Sequence, residues 1–166
     1  MPDLKPITPA GIPAALLKAN RYRLLNDSSA AESICADILA IEPENAEAIV
    51  LFLLAITDQF PDAHPDALSR AREAAQQLRD PYKRAYYHGI ICERWGMSLL
   101  HREIPRAAEM AYDWIVQAMH WFEQAEAMRP EGNDESILRW NTCVRLMQAN
   151  PQIQPAPQEA YEPSFE

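Results

Sequence analysis

Between residues 43 and 130 the prolines fall where an apolar periodicity stops, and this punctuation constrains the fold more than any other feature of the chain. Proline has no amide hydrogen for a helix interior and biases the preceding residue toward extended backbone. A chain in which Pro43, Pro61, Pro65, Pro81, Pro105 and Pro130 separate apolar runs is therefore a succession of helices. Residues 13–25, with Ala15, Leu16, Ala19 and Tyr22 recurring at threes and fours behind Pro13, predict the first. A loop over 26–29 ends in an N-cap. The second helix, about 30–41, carries Ala31, Ile34, Cys35, Ile38 and Leu39 on one stripe.

The third helix starts at Glu44 or Asn45, runs to about Asp58 and is apolar nearly all round, so it should be central. After a loop at 59–65, Asp66 should cap a fourth helix packed through Ala67, Ala71, Ala74, Ala75 and Leu78. A fifth spans about 82–100. A sixth, 106–128, would exceed 30 Å at ~1.5 Å per residue. It carries one stripe of Ala111, Ile115, Ala118, Phe122 and Ala125 and a second of Met110, Trp114, Trp121 and Met128, both expected to pack on neighbours. Residues 130–132 turn the chain, and Asn133 or Asp134 caps a seventh helix with Ile137, Trp140, Val144 and Met147 inward. No segment reads as a strand, so the expected class is all-α.

A chain of 166 residues, 48% of them apolar, suits one domain with its own core. Basic residues number 15 against 24 acidic, a net charge of -9, which gives no electrostatic footprint for nucleic acid or an anionic membrane. The longest apolar run, residues 48–56, is far short of the ~20 residues a spanning helix needs. Residues 1–11 hold Asp3, Lys5 and three prolines before any apolar run, unlike a signal peptide, so a cytoplasmic location is expected. The expected division is an arm over 1–11, a helical domain over 12–150 and a disordered tail over 151–166, which has three glutamates, four prolines and no basic residue. Cys35, Cys92 and Cys143 are too scattered for a disulfide framework or a zinc site and read as reduced core thiols.

Helix pairs closed by proline invite a search for a repeat. Pro43 closes a unit in which Ala31 lies twelve residues earlier, Cys35 holds an aromatic place, and Ala19 and Tyr22 mark the first helix. Those positions resemble the tetratricopeptide repeat. A second unit, 46–81, has Ile49, Leu53, Ala67, Ala71 and Ala75 in the packing places; a third has Gly89 and Gly96, then Ala118, Phe122, Ala125 and Pro130, with an insertion between. The last helix resembles the solvating cap of such arrays. The resemblance, over about 12–150, implies a right-handed superhelix of antiparallel helix pairs, an α-solenoid of about seven helices.

Catalytic and cofactor motifs are absent. The four histidines include no HExxH and no helix-spaced pair, and GxGxxG, GxxxxGK[ST] and GxSxG are missing. His88 and Cys92 share a helix face, but a mid-helix pair lacks the oxyanion donors that nucleophilic catalysis needs. Neither a metal nor any other cofactor is expected, and no enzymatic activity. The four tryptophans, all between 95 and 140, read as core of the C-terminal half.

What the resemblance implies is a module that holds a protein or peptide in a groove lined by the first helix of each pair: Asn20, Arg23 and Leu24; Leu54, Thr57 and Asp58; Lys83, Tyr86, Ile90, Glu93 and Arg94. The family's carboxylate-clamp places hold Leu16, Asn20, Leu51, Lys83 and Tyr87, of which only Asn20 and Lys83 fit, so a chaperone tail is not the expected ligand. Arg23, Lys83 and Arg94, with Tyr86 for apolar contact, point to an acidic or C-terminal carboxylate ligand. The alternatives are a subunit that associates with itself or a larger complex through helix 106–128, and a helical binder of small molecules.

Overall fold

The structure, a computed structural model, describes residues 1–62, 66–102 and 104–157. Seven α-helices occupy these residues: α1 (Ile12–Leu24), α2 (Ser28–Ile41), α3 (Ala46–Asp58), α4 (Ala67–Gln76), α5 (Pro81–Leu100), α6 (Ala107–Met128) and α7 (Glu135–Ala149). Short 3₁₀ turns at Pro9–Gly11 and Phe60–Asp62 complete the described structure, which contains no strand. Neighbouring helices pack mostly in sequence as antiparallel pairs, and α1 also touches α3, as α3 touches α5. No helix among the described residues is long and apolar enough to cross a membrane.

Local chemistry explains the boundaries. Asn45 opens α3 by accepting a hydrogen bond from the Ala48 amide at 2.9 Å, and Asp80 opens α5 by accepting from the Tyr82 amide at 2.9 Å. Asp27 accepts from the Ala30 amide at 3.2 Å, so α2 begins at Ser28, two residues before the sequence pattern suggested. Ahead of it, Asn26 stands in the left-handed conformation at φ 61°, a place where a short polar side chain is tolerated, and ends α1. Asn133, rather than Asp134, bonds the first amide of α7, accepting from Glu135 N at 3.0 Å; Asp134 pairs with Arg129. Gly132 at φ 78° makes the preceding turn.

The core is a series of clusters between successive helices. Ile12, Ile38 and Ala48, beside Ala19, Cys35 and Leu51, join α1, α2 and α3, with Ile7 of the arm half-buried against them. Ile49, Leu53, Ile56, Phe60, Ala71, Leu78 and Ile91 join α3, α4 and α5. Ile90, Cys92, Ile115, Phe122 and Cys143 join α5, α6 and α7. As expected from its all-round apolarity, α3 is central: it touches α1, α2, α4 and α5.

Three expectations need correction. Ala111, Ile115, Ala118, Phe122 and Ala125 of α6 are fully buried, but the stripe beside them is not covered: Met110 and Met128 are 42% and 44% exposed. The tryptophans are half-buried at the margins of the core rather than inside it. Trp95 meets Phe60 edge-on at 5.0 Å, Arg102 lies 4.7 Å over Trp95, and Arg72 lies 4.8 Å over Trp114. Ile153, within the segment read as a tail, is 4% exposed and packs into the α5–α6–α7 cluster. Residues 158–166, including Tyr161 and Phe165, lie outside the described residues.

Candidate interaction face

The odd-numbered helices lie side by side and are tied by charged side chains that come from far apart in sequence. Arg23 at the end of α1 donates to Asp58 Oδ2 at 2.6 Å, and Arg94 of α5 donates to Asp58 Oδ1 at 2.5 Å and to Thr57 Oγ1 at 2.7 Å. Ser28 adds a hydroxyl to Asp58 Oδ2 at 3.4 Å. One carboxylate at the C-terminal end of α3 therefore bridges α1 and α5. Arg139 of α7 then grips Glu93 with two parallel bonds, Nη2 to Oε1 at 2.8 Å and Nε to Oε2 at 3.0 Å, linking α7 to α5.

The two arrangements differ in burial. Arg23, Asp58 and Arg94 keep 19%, 24% and 26% of their side chains exposed, whereas Glu93 is 2% exposed. Burial pushes the Glu93 carboxyl above its ordinary range, and Arg139 pulls it back part of the way. With three cations and two carboxylates, the network carries a surplus of one positive charge. Tyr87 stands next to it, its phenol pushed up mainly by burial and drawn down by Arg23 and Arg94.

Of the residues read as a groove, the structure brings Arg23, Thr57, Asp58 and Arg94 into direct contact. Glu93 joins Arg139 instead. Asn20, Leu24 and Lys83 are exposed, and Leu54 is half-buried between two core clusters. Ile90 is 4% exposed inside the core, so it presents no surface to a groove. Tyr86 packs against Phe122 with ring centroids 5.9 Å apart, near Tyr82 at 6.0 Å and edge-on to Tyr87 at 5.1 Å, and burial raises its phenol to about 12 although Arg139 draws it down. Sequence reasoning missed Arg139, and it named Tyr87 only as a groove place that does not fit the clamp. Arg139 lies one turn before buried Cys143, a spacing that puts it on the inward side of a helix read only as a solvating cap.

Where the α1–α2 turn meets the end of α3, the surface opens into a cleft of about 760 Å³, edged by Arg23, Leu24, Asp27, Glu32, Asp58 and Arg70. Glu32 is engaged by Arg70 and by Gln59 Nε2 at 2.8 Å. Asp62 also borders the cleft, so four carboxylates face two guanidinium groups there. That balance is the reverse of what an acidic ligand needs. Of the cations expected to recruit one, Arg23 and Arg94 are already held by Asp58, and the cleft's other guanidinium, Arg70, is held by Glu32.

The remaining chemistry candidates are packed rather than poised. All three cysteines are buried free thiols, and burial raises Cys35 and Cys143 to about 12. His88 stacks on Trp121 with ring centroids 4.8 Å apart. Among the described residues no three His, Cys, Asp or Glu side chains converge as metal ligands. No protein-family model matches the chain, and no curated protein or solved structure is significantly similar to it.

Proposed function

We propose that the chain is a non-catalytic protein-interaction module of tetratricopeptide-like build, a scaffold or assembly factor that holds a peptide or protein on the face of its odd-numbered helices. The observation that carries this reading is the braced face itself. Four helices distant in sequence are fixed side by side through Asp58 and Glu93, and the face ends in the cleft of about 760 Å³. Small residues at the helix-pair places support the repeat: Ala19 and Ala118 are 0% exposed and Ala31 is 1% exposed. Four carboxylates around the cleft favour a partner that brings a lysine or arginine side chain, not the acidic peptide suggested by counting cations in the sequence. A photo-crosslinking amino acid at Leu24, on the cleft edge, should capture a protein partner that the same probe at exposed Ala36 of α2 does not. Identical products at both positions, or products at 36 alone, would move binding off this face.

A second reading is favoured by α6. Met110 and Met128, about five turns apart and so on one side of the helix, are 42% and 44% exposed, apolar surface suited to self-association or to a larger complex. Light scattering on the Met110→Glu, Met128→Glu double variant decides it: this reading requires a concentration-dependent mass in the parent and its loss in the variant.

A further inference from the structure

The outward face of α1 carries a second, unrelated surface. The helix packs against α2 and α3 through residues such as Ala19, while Leu17, Leu24 and Leu25 are 74%, 73% and 66% exposed. Stacked helical arrays normally present a polar outer face on a terminal helix, because that face meets water. This one does not. A groove of about 520 Å³ on it is lined by Leu17, Lys18, Arg21, Tyr22 and Leu25.

Charge narrows the occupant. α1 has no acidic residue and carries Lys18, Arg21 and Arg23, in a chain whose net charge is -9. Arg23 is taken by Asp58. Lys18 leans over the Tyr22 ring at 5.7 Å, and neither Lys18 nor Arg21 meets a carboxylate among the described residues. The neighbouring groove shared with α2, about 420 Å³, is bordered by Asp27 and Asp37 and repels an acidic ligand; the α1 groove contains no carboxylate. Two copies of α1 would set cation against cation, which disfavours their pairing.

The sequence supplies a complementary segment. Residues 158–166 hold Glu159, Glu162 and Glu166 with Tyr161 and Phe165, and no basic residue. Nine residues beyond Pro157 span about 30 Å at full extension. Helices packed ~8–10 Å apart put about 24–30 Å between the α1 and α7 axes before the outer side of α1 is reached. Tyr161, four residues beyond Pro157, reaches only about 14 Å, so for both rings to seat on α1 the donor is another molecule. We propose that the α1 groove receives residues 158–166 of a second copy of this chain, Tyr161 and Phe165 resting on the leucines and Tyr22, the glutamates meeting Lys18 and Arg21. The inference is independent of the odd-helix face, and exchange of segments between two copies closes a dimer.

The test uses a fluorescein-labelled peptide of residues 151–166 titrated into full chain carrying Tyr161→Ser and Phe165→Ser, which frees the groove. Expected is saturable anisotropy that weakens about tenfold or more with Lys18→Glu plus Arg21→Glu, and likewise with Leu17→Ser plus Leu25→Ser, at unchanged circular dichroism. A scrambled peptide of the same composition should bind about tenfold more weakly, since charge alone does not seat two aromatic rings. In the parent chain, mass should rise with concentration, and the Tyr161→Ser, Phe165→Ser variant should stay monomeric. Absence of saturable binding, indifference to the α1 substitutions, equal binding of the scrambled peptide, or an oligomer that survives the tail substitutions would each overturn the proposal.

Discussion

Gly89 of α5 lies against the ring of Phe122 on α6 so closely that a Cβ at Gly89 would stand 2.4 Å from Phe122 Cε1. A helix interior ordinarily gains ~0.5–1 kcal/mol when glycine becomes alanine. Here the added methyl has no room, and Phe122 is fully buried, so its ring cannot step aside cheaply. Gly89→Ala should therefore destabilise by about 1–3 kcal/mol, the range for overpacking a core. Phe122→Leu should cost stability alone yet recover much of the Gly89→Ala loss in the double variant, a coupling measurable by urea unfolding. Additive losses would mean that the two side chains do not share this space.

Glu93 and Arg139 give a prediction with a pH signature. With its folded value raised by burial, Glu93 contributes stability that is complete below the unfolded carboxyl value, about 4.3, and is lost as pH rises through the folded one. Arg139 limits that loss by holding the ionised form. Arg139→Ala leaves a 2%-exposed carboxylate unpaired and should cost about 3 kcal/mol near pH 7.5. The cost should be smaller at pH 5, because a raised carboxyl value brings protonation of Glu93 closer as pH falls. Denaturant titrations of parent and variant at both pH values measure the gap, and a gap of constant size would show that Glu93 does not depend on the guanidinium.

What the sequence made legible was local. Asn45 caps the helix it was expected to start, and the Ala111-to-Ala125 stripe of α6 is buried as its spacing required, because a cap or a stripe is decided within two turns of chain. What it concealed was pairing at a distance. Asp58 meets partners 35 and 36 residues away, and Glu93 one 46 residues away, and no local pattern distinguishes a cation that will be neutralised from one that will stay free. The groove residues were for that reason half legible: Arg23, Asp58 and Arg94 do converge, yet on one another. Ile153 was missed because a single apolar residue among prolines carries no periodicity. Trp95 and Trp114 were placed too deep because their size suggests core while Arg102 and Arg72 hold them at its edge.

Asp58 is the single carboxylate between two guanidinium groups, so its loss should exceed that of either cation. Asp58→Ala would leave Arg23 and Arg94 facing each other and should cost about 1–2 kcal/mol, against the ~0–1 kcal/mol of an exposed pair, since all three side chains are about three-quarters buried. Arg23→Ala should cost less, because Asp58 keeps Arg94. Combining Arg23→Ala with Asp58→Ala should be less destabilising than the sum of the two, as repulsion is removed along with attraction. Urea midpoints at low and high salt check this: the Asp58→Ala deficit should narrow as salt screens the two cations.

His88 sets the last expectation, on the mildly acidic side. It is 5% exposed, its Nε2 has no hydrogen-bond partner, and its ring lies nearly parallel to Trp121 at an interplanar angle of 23°. Two effects compete when it takes a proton. An imidazolium over an indole gains ~0.5–2 kcal/mol as a cation–π contact. Burial opposes the charge, and Arg72 and Arg84 add repulsion, so the folded value falls below the ordinary 6.5. A depressed folded value means stability that is present above the unfolded value and lost as pH falls through the folded one. Melting temperature should accordingly decline as pH drops below about 6.5 in the parent chain, and His88→Leu should flatten that decline while keeping the contact with Trp121. Glu93 works in the opposite direction as pH falls, since protonating a carboxyl whose folded value is raised stabilises the fold, and Glu93→Gln removes that contribution. A Glu93→Gln profile that stays flat from pH 7.5 to 5.5 would mean that stacking on Trp121 offsets burial in full, and that His88 takes its proton in the core as readily as in the unfolded chain.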